Sequence, residues 1–133
     1  MTHSVGIAGF GTIGAVVAAR LINDLPGLTL AAISSGRRET AEARMAALGI
    51  AAPRVRPSEL AERCDIVVEC APTAAFASIA EPALAAGRTL VTVSGAAILQ
   101  HPDIVDHARR GGGQIILATG ALLGFDAVRA AAE

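Results

Sequence analysis

"VGIAGFGTIG", residues 5–14, sets an apolar run directly ahead of a turn punctuated by Gly9, Gly11 and Gly14. The spacing is G-x-G-x-x-G. In a chain with 14 glycines in 133 residues the spacing alone carries little weight, so its flanks decide how it reads. Residues 5–8 hold nothing polar and read as a strand buried on both faces. From Thr12 to about Asn23, Ile13, Val16, Val17 and Leu21 return every three or four positions, a helical period, and Pro26-Gly27 ends the run. "LTLAAIS", Leu28–Ser34, is a second strand. The glycines therefore sit in the first turn of a β-α-β unit of about thirty residues.

The alternation continues to the end of the chain. An amphipathic helix is expected over residues 39–48, stopped by Gly49, and a short third strand at Val55, crowded by Pro53 and Pro57. A small helix at 58–63 leads to a fourth strand, "DIVVE", at 65–69. A helix over 73–86, closed by Gly87, leads to a fifth, "RTLVTVS", at 88–94. A helix over 103–110, ended by Gly111-Gly112-Gly113, leads to a sixth, "QIILA", at 114–118. Solid apolar strands alternating with helices imply an α/β fold: a doubly wound, mostly parallel sheet of about six strands. No linker, repeat or low-complexity tract divides the chain, so residues 1–133 read as one Rossmann-type domain for NAD(P).

Bulk composition excludes several classes. No run of about eighteen uncharged apolar residues suggests a membrane span, and the first residues lack the pattern of a secretion signal. A formal net charge of −1 gives no pull toward nucleic acid or anionic lipid. Trp and Tyr are absent and Phe occurs three times, which leaves little with which to stack bases. Cys64 and Cys70 fit no metal-ligand spacing and point to a reducing cytoplasm; Cys70, in an apolar run, reads as a small core residue.

In this setting each glycine has a physical task. Gly9 permits the tight turn, Gly11 lets a diphosphate lie against bare backbone, and Gly14 lets the helix pack close to the sheet. The free amides at the helix start, around Thr12 and Ile13, face the phosphates with the positive end of the helix dipole. Where an NAD-preferring site carries an acid after the second strand, this chain has Ser34-Ser35-Gly36-Arg37-Arg38. Two hydroxyls and two guanidinium groups suit the 2′-phosphate of NADP(H), with NAD(H) also possible. The bland alternative leaves Arg37 and Arg38 solvated before the next helix. Cys70, Ala71 and Pro72, after the fourth strand, are expected beside the cofactor, and Ser94 and Gly95, after the fifth, near its nicotinamide end. Glu69 reads either as functional or as a strand-end carboxylate bonded to nearby amides. No catalytic residue and no metal site emerges: His3, His101 and His107 are the only histidines, and the set His101, Asp103, His107 has no ligand spacing of a known type.

"GIAGFGTIG", "VVECAPTAAF", "ALAAGRTLVTVSGAAI" and "IILATGALLGFDAVRAA" stand in an order that resembles the L-aspartate dehydrogenases. Homoserine dehydrogenase and dihydrodipicolinate reductase share the first piece and the general layout. The resemblance implies NAD(P)-dependent oxidative deamination of L-aspartate, through an imine, to oxaloacetate and ammonia. It covers nearly the whole chain but only the amino-terminal half of such an enzyme. It also implies that Thr119, Gly120 and Ala121 form a cofactor-side loop leading toward a second domain, absent from this chain, that supplies the catalytic histidine and the substrate contacts. Leu123 stands where that family more often has glycine. With Leu122, Leu123, Phe125 and Val128 left unpacked, a homo-oligomer is expected. A stand-alone NADP(H)-sensing module is the alternative, as is a related oxidoreductase acting on another small acid.

Overall fold

In the computed structural model, residues 1–118 and 131–132 are described. The elements run β1 (His3–Ala8), α1 (Thr12–Asn23), β2 (Leu28–Ser34), α2 (Arg38–Ala47), α3 (Pro57–Arg63), β3 (Ile66–Glu69), a 3-10 turn (Thr73–Ala75), α4 (Phe76–Ala85), β4 (Thr89–Thr92), α5 (Gly95–Gln100), α6 (Ile104–Gly111) and β5 (Gln114–Leu117). The strands form one sheet in the order β2-β1-β3-β4-β5, each pair parallel. From β1 the chain first steps outward to β2, then returns to lay β3 on the other side of β1. The order therefore reverses between β1 and β3, and the carboxyl ends of those strands frame the crevice where open α/β sheets take their ligands.

The sheet holds five strands among the described residues, where about six were expected. The anticipated third strand at Val55 reduces to a single parallel bridge between Ile33 and Arg54. Ile33 donates its N–H to the Pro53 carbonyl (2.9 Å), and Val55 donates to the Ile33 carbonyl (2.8 Å). Pro53 and Pro57 have no N–H to extend the ladder in either direction, so the segment lies at the strand position beside β2 without becoming a strand. A second departure is α5, whose residues "GAAILQ" follow β4 after two intervening residues; five apolar or small residues and one glutamine carry no readable helical period.

Two apolar clusters cover the two faces. On one, Val5 and Ile7 of β1 and Ile33 of β2 pack with Ala18 and Leu21 of α1 and Ala41 of α2. On the other, Val67 and Leu90 pack with Leu60 of α3, Phe76, Ile79 and Leu84 of α4, and Ile104 of α6. The period-2 alternation of strand side chains splits them so: Ile7 goes one way and Ala8 the other. Close approach needs small residues at particular places. A methyl group at Gly6 would come within 2.7 Å of the Cys64 sulfur, and one at Gly111 within 2.1 Å of the Leu84 carbonyl oxygen. At the opposite end of the sheet from the crevice, Asp65 accepts from the Ser4 N–H (2.9 Å) and hydroxyl (2.8 Å), clamping the start of β3 to β1. Those two bonds hold the Asp65 carboxyl below its ordinary pKa. No helix of the described residues is long and apolar enough to cross a membrane.

Candidate functional site

At the carboxyl end of β1 the backbone turns sharply, with Gly9 at φ +95°. That left-handed conformation is open to glycine at little cost, and a Cβ there would stand 2.5 Å from the Cys70 carbonyl oxygen. The turn is tied to both neighbouring strand ends: Gly9 N–H donates to the Ser34 carbonyl (2.8 Å), and Cys70 N–H to the Ala8 carbonyl (2.7 Å). Phe10, 3% exposed, drives its ring into the core shared by α1 and α2, a burial worth about 1.5–3 kcal/mol. Gly14 lies beneath the turn, where a Cβ would be 2.0 Å from the Gly9 carbonyl oxygen. The third glycine is thus a packing requirement. At Gly11 the situation differs: φ is −80°, and the nearest neighbour of an added Cβ is Arg44 Nη1 at 3.9 Å. The space over Gly11 is open toward the crevice.

Gly11 is also the N-cap of α1. No side chain caps the helix, and no acidic residue occupies its first turn. The helical ladder begins with the Ala15 N–H on the Gly11 carbonyl, so the amides of Thr12, Ile13 and Gly14 have no partner within the helix. Those N–H groups and the helix dipole present positive potential at the crevice.

The crevice is a cavity of about 690 Å³, within the range of small-molecule and cofactor sites. Its lining includes Gly9, Gly11, Thr12, Ser34, Ser35, Arg37, Cys70, Ala71 and Pro72, all expected from the sequence. Ile13 lies half-exposed in the first turn of α1, and Gly14, Arg38, Ser94 and Gly95 also stand outside the lining. Arg38 Nε instead reaches Glu42 Oε1 (2.9 Å) on the solvent side of α2. Thr119, Gly120, Ala121, Leu122, Leu123, Phe125 and Val128 fall outside the described residues. Phe10, Thr40 and Arg44 are among the lining residues that the sequence reading did not name. Arg44 belonged to a helix face read only as charged. A smaller cavity, about 310 Å³, lies between the end of α1 and β2; no charged side chain lines it, so it offers nothing to orient a polar ligand. By contrast the larger crevice is lined by two guanidinium groups, Arg37 and Arg44, and by no carboxylate. Its electrostatics suit an anion.

Behind the Cys70 loop lies a buried polar bridge. Glu69 and Thr92, at the ends of β3 and β4, are both fully buried. Glu69 Oε1 accepts from the Ala71 N–H (2.8 Å) and Oε2 from the Thr92 hydroxyl (2.5 Å). The Thr92 oxygen accepts in turn from the Ser94 N–H (2.9 Å). Glu69 is thus the amide-bonded strand-end carboxylate, holding in register the two loops that follow β3 and β4. Burial pushes the Cys70 thiol up to about 11, with Glu69 pushing the same way; burial likewise raises Cys64. Neither is a poised nucleophile. His101 packs its ring against Phe76, with centroids 5.8 Å apart. Glu81, Asp103 and His107 bring ligand-type atoms within 4.8 Å of one another on the α4–α6 surface; His101 is not in this group.

The family model described as the NAD-binding domain of homoserine dehydrogenase matches residues 9–118. An L-aspartate dehydrogenase of Bradyrhizobium diazoefficiens is 46% identical over 96% of this chain and 45% of its own length. "L-aspartate dehydrogenase 3" of Bordetella bronchiseptica is 43% identical over 97% of this chain and 48% of its own. The chain spans about half the length of these curated relatives. Among solved structures, Lactobacillus casei myo-inositol dehydrogenase in complex with NAD(H) and myo-inositol superposes with a TM-score of 0.78 at 21% identity, over 99% of this chain and 41% of that one. At that identity the likeness is one of fold.

Proposed function

Because the chain belongs to the family of homoserine dehydrogenase NAD-binding domains, we propose that it is the dinucleotide-holding part of an amino-acid dehydrogenase acting on L-aspartate, with NADP(H) accepted at least as well as NAD(H). The observation that carries this reading is the crevice itself. Open space over Gly11, unpartnered amides at the start of α1 and two cationic side chains without a carboxylate converge on one cavity. The identity to L-aspartate dehydrogenases supports the choice of substrate.

In this mechanism the backbone at residues 11–13 takes the diphosphate, and Ser34, Ser35 and Arg37 take the adenosine ribose and its 2′-phosphate. Ser35 Oγ already accepts from the Arg37 N–H (3.3 Å), which fixes the bend that turns Arg37 toward the cavity. The loop at Cys70, Ala71 and Pro72, steadied by Glu69, borders the far side. Ser94, Gly95 and residues 119–121 are assigned to the nicotinamide end. The bound cofactor supplies hydride transfer. These residues orient it and present no acid–base group, which such chemistry also needs. The 133 residues alone are therefore assigned binding without turnover.

Titration of NADPH and NADH by cofactor fluorescence tests the reading, with almost no background from a protein without Trp or Tyr. Both cofactors are expected to bind. Arg37→Ala is expected to weaken NADPH by roughly 1.5–3 kcal/mol, the range for hydrogen bonds to charged groups, and to spare NADH. Equal weakening of both removes Arg37 from the 2′-phosphate role, and no binding of either overturns the proposal. Robust turnover of NADPH with oxaloacetate and ammonia by these residues alone refutes the assignment of binding without catalysis.

A further inference from the structure

Arg44 is the cavity residue whose setting the motif does not account for. It lies in the last turn of α2, its side chain turns back over the crevice, and Nη1 donates to the Phe10 carbonyl oxygen at 3.1 Å. The same nitrogen is 3.9 Å from where a Cβ on Gly11 would stand. The guanidinium is thus fixed beside the one glycine of the turn whose backbone is open to the cavity. Arg20, Arg38, Arg54, Arg56, Arg88 and Arg109 each lie within 4.0 Å of a carboxylate oxygen. Arg44, half-buried, has no such partner among the described residues. One carbonyl occupies one of its five N–H donors. A partly desolvated cation with spare donors facing a cavity calls for an anion.

Resting on the dinucleotide reading above, we infer that Arg44 is a second-site clamp on the cofactor's diphosphate, reaching it from α2 opposite the amides of α1. Position separates it from Arg37. Arg37 follows the end of β2, on the adenosine-ribose side, whereas Arg44 is anchored to the glycine turn over which the diphosphate passes. The clamp therefore serves NADH and NADPH alike and does not discriminate between them. Its bond to Phe10 gives it a second effect, since α2 holds the turn in place before ligand arrives.

Calorimetric titration of wild type, Arg44→Met and Arg44→Lys with NADH, NADPH, ADP-ribose and adenosine tests this. Arg44→Met keeps the apolar stem and removes the charge. The expected result is a loss of about tenfold or more, similar for NADH, NADPH and ADP-ribose, following from a charge-assisted hydrogen bond of about 1.5–3 kcal/mol. Adenosine, which has no phosphate, is expected to bind as to wild type, and Arg44→Lys to recover part of the loss. The salt dependence of ADP-ribose binding is expected to flatten in Arg44→Met, a change that a merely structural role would not produce. Loss confined to NADPH would make Arg44 a 2′-phosphate ligand and overturn the inference. So would an unchanged ADP-ribose affinity, or equal loss of adenosine and ADP-ribose. A wild-type chain that binds no dinucleotide would overturn the parent reading and this inference together, whereas intact wild-type binding with an indifferent Arg44→Met overturns this inference alone.

Discussion

Replacing both ends of the Glu69–Thr92 bridge, singly and together, is expected to reveal a strong coupling at the floor of the crevice. Glu69→Gln keeps the shape and the acceptor for the Ala71 N–H (2.8 Å). Its other arm becomes an NH2 donor facing the Thr92 oxygen, so the hydroxyl hydrogen loses its acceptor. About 1–2 kcal/mol of stability should go, the cost of one buried group left unpaired. Thr92→Val is expected to cost more, roughly 3 kcal/mol. It leaves a fully buried carboxylate oxygen without its donor and the Ser94 N–H without its acceptor. Once the valine is present, changing Glu69 to glutamine removes an uncompensated charge instead of a bond. The double variant should therefore be more stable than the summed single losses imply, by about 1.5–3 kcal/mol. Urea unfolding followed by far-UV circular dichroism measures all four proteins. Additivity within about 0.5 kcal/mol would refute the claim that the two side chains form one unit.

Gly14→Ala places a methyl group 2.0 Å from the Gly9 carbonyl oxygen, well inside ordinary contact, which begins at 3.4 Å. The neighbour is backbone and cannot swing aside, so a loss of about 1–3 kcal/mol from overpacking is expected, against at most about 1 kcal/mol gained in helix propensity. Urea midpoints check the stability, and dinucleotide affinity should fall with it; a variant at least as stable as wild type that binds normally would contradict the packing. A separate expectation concerns alkaline pH. The chain has no lysine and no tyrosine, so its cysteines are the side chains that titrate between about pH 9 and 11. The Cys70 thiol rises from 9.0 to about 11 on folding, so the folded state holds that proton more tightly. The contribution is fully present below pH 9 and is lost as pH rises through 11. Urea midpoints at pH 8 to 11 should fall over that window, and Cys70→Ala should flatten the fall; a level wild-type profile would contradict it.

Much of the fold was legible because its strands are apolar throughout and its turns carry glycine. Residues 5–14 displayed strand, turn and helix in ten positions, and the tasks assigned to Gly9 and Gly14 are visible as a positive φ and a 2.0 Å backbone approach. The third strand failed because proline removes ladder donors, an effect that depends on what the neighbour offers at Ile33. Arg44 was illegible for a different reason. On a helix rich in charge nothing local separates a solvated arginine from one bent back onto a carbonyl 34 residues away in the chain, since tertiary packing alone makes that distinction. Glu69 could be narrowed to two readings, and only the placement of Thr92 on the adjacent strand decides between them.

A crystal structure grown with saturating NADPH tests the central claim most directly. The account predicts diphosphate oxygens within about 2.7–3.2 Å of backbone nitrogens at residues 11–13, with the adenosine ribose beside Ser35 and Arg37. Density for the dinucleotide elsewhere on the molecule, or a crevice that stays empty at saturating cofactor, would contradict it.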